Sequence, residues 1–363
     1  MTSTATRCEG RLVFGSLLLP QLPSPPLLLL SIGLISILAY RSRLCCASSL
    51  ARPQRFPNND GFDPVSCVNV TLVNSRIDVA DDGVCPKADA SMGPLVGLHV
   101  KNVTIRSKSH AIKFGSNTDL DMRDCLFENI TIWDSNGGLS IQQRSGGDIS
   151  NVTFSNIKVE TRLQAPRWWG NGDWLSVNNN PRGNGETIGT ISNLHFINIT
   201  GRSEGGGLLS GISGLSDVSF ENVFVKIEAW SNYSDGSGPP CYEDAPSCSN
   251  MTGAEDEPPQ PSEDVVCVAH PLPTDTEMGC LGQLDYRPTP GSDALEGTDG
   301  YYARVGVGRA DALFVENGRS VRFENVAFEF ESPRKPWFGD CLRIDDNSAA
   351  ITGAEGVQCT NGP

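Results

Sequence analysis

Histidine is scarce in this chain, with four in 363 residues. Cations are also few: 28 Lys and Arg stand against 43 Asp and Glu, a formal charge of −15. A broad nucleic-acid footprint needs clustered Lys and Arg, so that class of partner is excluded. No Cys-x-x-Cys spacing occurs, and the only close pair is the adjacent Cys45-Cys46. With so few histidines as well, a zinc site is a poor account of the 12 cysteines. Six fall late, at Cys241, Cys248, Cys267, Cys280, Cys341 and Cys359. Disulfides in an oxidising compartment explain them better, in pairings that the sequence leaves open. A long apolar run is missing too. Leu27 to Tyr40 is 14 residues, whereas a membrane helix needs about 20, so no stable span is expected. Arg7 and Arg11 precede the run, Pro23, Pro25 and Pro26 break any longer helix, and the small residues Cys46-Ala47-Ser48-Ser49 follow it. These features fit a signal peptide. Residues 1–50 are read as a signal-peptide-like or unrelated leader, and the chain as secreted.

What the chain has is a repeat. One template (apolar, any, apolar, any, Asn, apolar or small, any, apolar) fits 70–77, 125–132, 152–159, 218–225 and 321–328. Another copy starts at Leu194, and Asn102-Val103-Thr104-Ile105 is a partial one. Each half alternates with period two, as a strand with one buried face does. The Asn breaks the alternation by one residue and suits a corner, because Asn tolerates left-handed backbone. Intervals between these asparagines include 27 and 24 residues, and repeats of that length mean a solenoid. The Leu-x-x-Leu-x-Leu of leucine-rich repeats is absent. The expected fold class is all-β, a right-handed single-stranded parallel β-helix. A β-sandwich is the alternative, and the fixed offset of the Asn argues against it.

Seven Asn-x-Ser/Thr acceptors occur, at Asn69, Asn102, Asn129, Asn151, Asn198, Asn232 and Asn250. Five fall in or beside the repeat, where backbone reasons alone explain them. Asn232 and Asn250 are the better glycan candidates. Organisation follows: residues 51–227 form the β-helix core, 228–317 a Pro-, Gly- and acid-rich insertion with cysteines, and 318–363 a final coil and disulfide-tied tail. The insertion's composition buries little apolar surface. Cys341 and Cys359 are expected to tie down the end.

The acids before and between the first strands carry the chemistry. Asp60 and the Asp81-Asp82 pair lie 21–22 residues apart, close to one coil, so stacking brings them together. Paired carboxyls can hydrolyse a glycosidic bond, one protonating the leaving oxygen and the other activating water. Mutual repulsion would raise one pKa and keep that acid protonated. The same Asp-Gly and Asp-Asp-Gly segments also suit plain turns. His110 arrives one coil later and would orient a carboxylate or touch a sugar, although a lone His is commonly structural. Trp168 and Trp169, in a Gly- and Asn-rich loop with Arg167, would stack on sugar faces or serve as core.

Together these residues resemble glycoside hydrolase family 28, the polygalacturonase family. Asn58-Asn59-Asp60-Gly61 is similar to its Asn-Thr-Asp-Gly, and Asp81-Asp82 with Lys87 to its Asp-Asp-x-x-x-x-Lys. Ser109-His110-Ala111 with Gly115-Ser116 is similar to its Gly-His-Gly and following Gly-Ser. The resemblance covers roughly residues 52–225. It implies a pectin lyase-like solenoid that hydrolyses galacturonan or a related pectic chain with inversion, as an extracellular or cell-wall enzyme without metal or organic cofactor. It implies Asp82 as general acid, Asp60 and Asp81 as activators of water, His110 as support for the acid, and Asn58 as a polar contact. Lys113, Gln142, Arg144, Trp168 and Trp169 are candidate substrate contacts. Two departures stand out. Ser140 and Gln142 occupy the positions of the family's Arg and Lys, which bind the substrate carboxylate, and Ser cannot replace a bidentate Arg. A neutral or differently charged glycan is therefore open. Only about ten usable residues precede the Asn-x-Asp strand, so an N-terminally truncated chain with an open first coil is expected. A polysaccharide lyase or epimerase on the same scaffold, and a non-catalytic glycan-binding β-helix, are the alternatives. Nothing calls for an oligomer, and a monomer is expected.

Overall fold

The structure is a computed structural model that describes residues 60–115, 117–162, 164, 172–179, 187–231, 310–335 and 338–362, with strand backbone at 29–32, 35–39, 266–268 and 278–281. The chain runs through β1 (Leu29–Ile32), β2 (Ile35–Ala39), β3 (Val68–Val79), β4 (Leu95–Ser107), β5 (His110–Phe114), β6 (Met122–Ser135), β7 (Gly137–Gln143), β8 (Ile149–Thr161), β9 (Asp173–Asn179), β10 (Ile191–Ser203) and β11 (Gly207–Ile227), and the repeat template falls on the long strands β3, β4, β6, β8, β10 and β11. After the antiparallel pair β12 (Val266–Val268) and β13 (Met278–Leu281) comes β14 (Phe314–Phe330). Strands β3, β4, β6, β8, β10, β11 and β14 pair in parallel as one wall. Strands β5, β7, β9 and the start of β11 pair in parallel as a second. The architecture is the right-handed parallel β-helix that the repeat predicts.

Two features fix the register. The repeat asparagines Asn74, Asn102, Asn129, Asn156, Asn198, Asn222 and Asn325 all turn the chain in the left-handed region, with φ between 52° and 56°. Asn pays a smaller penalty there than other side-chain-bearing residues. Their amides also hand one another across coils: Asn102 donates to Asn74 at 3.1 Å, Asn198 to Asn156 at 2.9 Å and Asn222 to Asn198 at 3.0 Å. A second left-handed column, Asn69, Asp124, Asn151, Asn193 and Asp217, stands five residues before the repeat asparagine of each of those coils. The sequence reading did not separate it from the first. Three glycan-acceptor asparagines, Asn102, Asn151 and Asn198, thus donate their side-chain amides within the scaffold. Asn232 and Asn250 lie outside the described residues.

The second feature is the interior. Leu72, Val100, Phe127, Phe154, Phe196, Phe220 and Phe323 share one register position through seven coils. The five phenyl rings stack at 5.0–5.3 Å, with interplanar angles of 5–20°. The first coil's edge, expected open, carries β2 antiparallel to β3. That strand comes from the apolar run read as leader. At the other end β15 (Arg343–Ile344), β16 (Ala349–Thr352) and β17 (Gln358–Thr360) pair with β14, and the Cys341–Cys359 disulfide forms as expected. No described helix is long and apolar enough to cross a membrane.

Phe154 lies inside the aromatic stack, between Phe127 and Phe196, and is fully buried. Phe154→Ala is expected to lower unfolding free energy by about 3–5 kcal/mol, read by chemical denaturation. Phe224, which is exposed, should tolerate Ala within about 0.5 kcal/mol.

Candidate active site

The site grows from the turn that leads into the second wall. Parallel bridges join Phe62 to Val84 and Val84 to Ile112. Gly61 N–H donates to the Asp82 carbonyl at 2.8 Å, and Gly83 N–H to the His110 carbonyl at 2.9 Å. His110 then pairs with Gly137, and Gly137 with Asp173. Asp60, Asp82, His110, Gly137 and Asp173 therefore stand in one column, one per coil. Backbone packing allows this because Gly61 and Gly83 lie against neighbouring backbone; a Cβ at either would come within 2.5 Å of a carbonyl oxygen.

Asp82 is buried at 3% exposure. One carboxylate oxygen accepts from Ser109 Oγ at 2.8 Å and from the His110 N–H at 3.3 Å. The other accepts from Lys113 Nζ at 2.8 Å. Burial pushes its pKa up, but the Lys113 ammonium, His110 and the hydrogen bonds from Lys113 and Ser109 outweigh it. The carboxyl is held below the usual range. Asp81 is also buried, and its Oδ1 accepts the Asp82 N–H at 2.9 Å. The Asp60 carboxylate pairs with Lys87 at 3.0 Å.

Mutual repulsion among Asp60, Asp81 and Asp82 was the expected source of a raised pKa. The raised group is a neighbour, Asp63. Burial and the nearby Asp60 push it up to about 7, against the pull of Lys87, which donates to it at 2.6 Å. Asp63 was legible as an Asp-x-x-Asp pair with a lysine one coil later. Asp60, Asp63 and Cys85 place one possible metal-ligand atom each within 4.8 Å of one another. Lys87 already supplies a cation to both carboxylates, and burial keeps the Cys85 thiol protonated, so the set is poorly suited to a metal.

His110 is 1% exposed and lies between two carboxylates, with Nδ1 3.8 Å from Asp82 and Nε2 3.9 Å from Asp173. Burial lowers its pKa, opposed by Asp173 and Asp82. Asp173 was not singled out from sequence. Its register becomes visible only once coils of unequal length, 27 and then 36 residues from His110 to Gly137 to Asp173, are aligned. Gly137 opens the gap: a Cβ there would lie 2.3 Å from His110 Cδ2.

Of the other candidates, Lys113 joins Asp82 directly, while Gln142 lies farther along β7, paired in register with Asn178. Arg144 is buried just past β7, its N–H donating to Thr118 Oγ1 at 2.9 Å. Asn58, Trp168 and Trp169 lie outside the described residues.

Gly137→Ala is expected to displace the imidazole and to cost about 1–3 kcal/mol by overpacking. Gly146→Ala is the control, because its added methyl would meet only the Thr187 carbonyl oxygen, at 3.9 Å. Denaturant midpoints of the two variants check this, and equal midpoints would refute it.

The family model described as glycosyl hydrolases family 28 matches residues 46–236. A probable endopolygalacturonase D from Neosartorya fischeri is 28% identical over 203 residues, covering 53% of this chain and 38% of the relative. An exopolygalacturonase B from Aspergillus niger is 27% identical over 158 residues, covering 41% and 34%. A probable exopolygalacturonase B from Aspergillus flavus is 27% identical over 113 residues, covering 28% and 25%. The chain thus spans between 25% and 38% of the length of these relatives. No solved structure gives a significant match.

Proposed function

The chain belongs to glycosyl hydrolases family 28, and from that premise we propose that it hydrolyses glycosidic bonds in a pectic or related polysaccharide with inversion. The observation that carries the reading is the column of Asp60, Asp82 and His110 on consecutive coils, with Asp81 beside it. Inversion needs one carboxyl to protonate the leaving oxygen and another, about 6.5–9.5 Å away, to activate water on the opposite face. In this reading Asp82 is the acid, Asp60 and Asp81 activate water, and His110 holds Asp82 in place. Asp82 rests as a carboxylate on Lys113, so the acid role requires Lys113 to leave it as substrate enters. The reaction so written uses no metal or organic cofactor. An extracellular setting accords with the disulfide.

Asp82→Asn tests the proposal. Reducing-end release from pectic and neutral polysaccharides is expected to fall by about 10²–10⁴-fold, the range for loss of a general acid. Unchanged turnover would sink it.

A second assignment is favoured by Asp63, which is already protonated in mildly acidic solution because its pKa is about 7. There Asp63 protonates the leaving oxygen and ionised Asp82 activates water. Lys113→Met separates the two, because removing the ammonium raises the Asp82 pKa. If Asp82 must be protonated, activity is lost as pH rises through its pKa, and the alkaline limb of the kcat profile moves to higher pH. If Asp82 must be ionised, activity is lost as pH falls through its pKa, and the acidic limb moves instead.

A further inference from the structure

Beyond the carboxylates, the second wall carries a row of uncharged polar side chains. Ser140 pairs in register with Ser176, and Gln142, Asn178, Ser210 and Glu316 follow one another on successive coils. At the usual strand spacing the Gln142 to Glu316 column runs about 14 Å along the helix axis. Ser140 and Gln142 are fully buried, and Asn178 is 1% exposed. Yet Ser140 Oγ, both polar atoms of the Gln142 amide and Asn178 Oδ1 have no hydrogen-bond partner. Buried polar groups in folded proteins are nearly always paired, so such a cluster calls for partners beyond its own side chains.

The orphaned atoms define that molecule's chemistry. Both ends of the Gln142 amide are open, so its partner must donate to one and accept from the other, whichever way the amide is turned. A carboxylate only accepts. A hydroxyl does both. What separates a neutral from an acidic unit is the charge in the row: the column ends on Glu316, which accepts from Ser210 Oγ at 2.5 Å and would repel an anionic unit.

We propose that Ser140, Gln142 and Asn178 form a subsite for an uncharged, hydroxyl-bearing sugar unit, recognised by amide and hydroxyl groups alone. The inference rests on the glycan-cleaving reading for its ligand class but not for its test, which measures binding. The full chain is titrated calorimetrically with matched tetrasaccharides from an uncharged galactan and from galacturonan, at low and high salt. The uncharged ligand is expected to bind at least tenfold more tightly, with an affinity that salt leaves unchanged. Gln142→Ala is expected to weaken it about tenfold, the size of one lost hydrogen bond. Gln142→Lys should narrow or reverse the preference. Tighter binding of the acidic ligand that weakens with salt would overturn the proposal and assign recognition to a cation such as Arg144. Binding of neither ligand would overturn it as well, leaving the row to water. The wild-type comparison stands even if a variant fails to fold. Uncharged-ligand binding without turnover would retain the subsite and reject the hydrolase.

Discussion

Everything in this molecule depends on the backbone ladder between successive coils keeping one register. A parallel stack has no turn chemistry to fix the pairing of neighbours, and a slip of one residue would send every buried side chain outward. The left-handed Asn corners prevent the slip. Each sets the direction of the chain at the same point of its coil, and the amide hydrogen bonds from one corner to the next compare neighbouring coils directly. The stacked phenyl rings add a second comparison inside, where a shift would separate rings now 5.0–5.3 Å apart. Corner and core thus enforce the same alignment.

The candidate site follows from that alignment. Asp60, Asp82 and His110 belong to different coils and meet only because the ladder puts them in one column. The column concentrates titratable groups in a buried wall, and burial disfavours every charge there. Local pairing decides each outcome. Asp82 has Lys113 and two hydrogen bonds through its other oxygen, and stays ionised. Burial and then Asp60 push Asp63 up to about 7, because Lys87, which pairs with both carboxyls, does not offset them. Asp63 and Asp82 are thereby driven apart in proton affinity, the pattern that the proposed acid and base roles require.

The sequence made the fold legible because the repeat writes its corner residue at a fixed offset from its core residues. Asn156 and Phe154 announce the same coil. The acids Asp60, Asp81 and Asp82 were legible for a related reason, since their separation is near one coil and their order matches a known pattern. What the sequence concealed depends on contacts across coils of unequal length. Asp173 comes near His110 because Gly137 leaves room, and the 36-residue coil from Gly137 to Asp173, which includes β8, hides that register. A raised pKa was expected from repulsion between carboxyls, whereas the raised group is Asp63, driven first by burial and only then by Asp60. Lys113 could be named as a cation near His110, whereas its direct pairing with Asp82 required the register of β5.

Unequal coil lengths also explain how one scaffold can keep its chemistry while changing its ligand. Loops vary in length between the corners without moving the strands, because the register is set at the corners and in the core. Along the second wall the positions around Asp82 are tied by mutual hydrogen bonds and ion pairs, so a substitution there disturbs several partners. Ser140, Gln142 and Asn178 make no such bonds through their orphaned atoms. Exchanging them alters what the wall can bind and leaves the carboxylate column intact. On the proposed reading, bond cleavage and sugar recognition fall on different register positions of the second wall, so that specificity can drift independently of the carboxylate column.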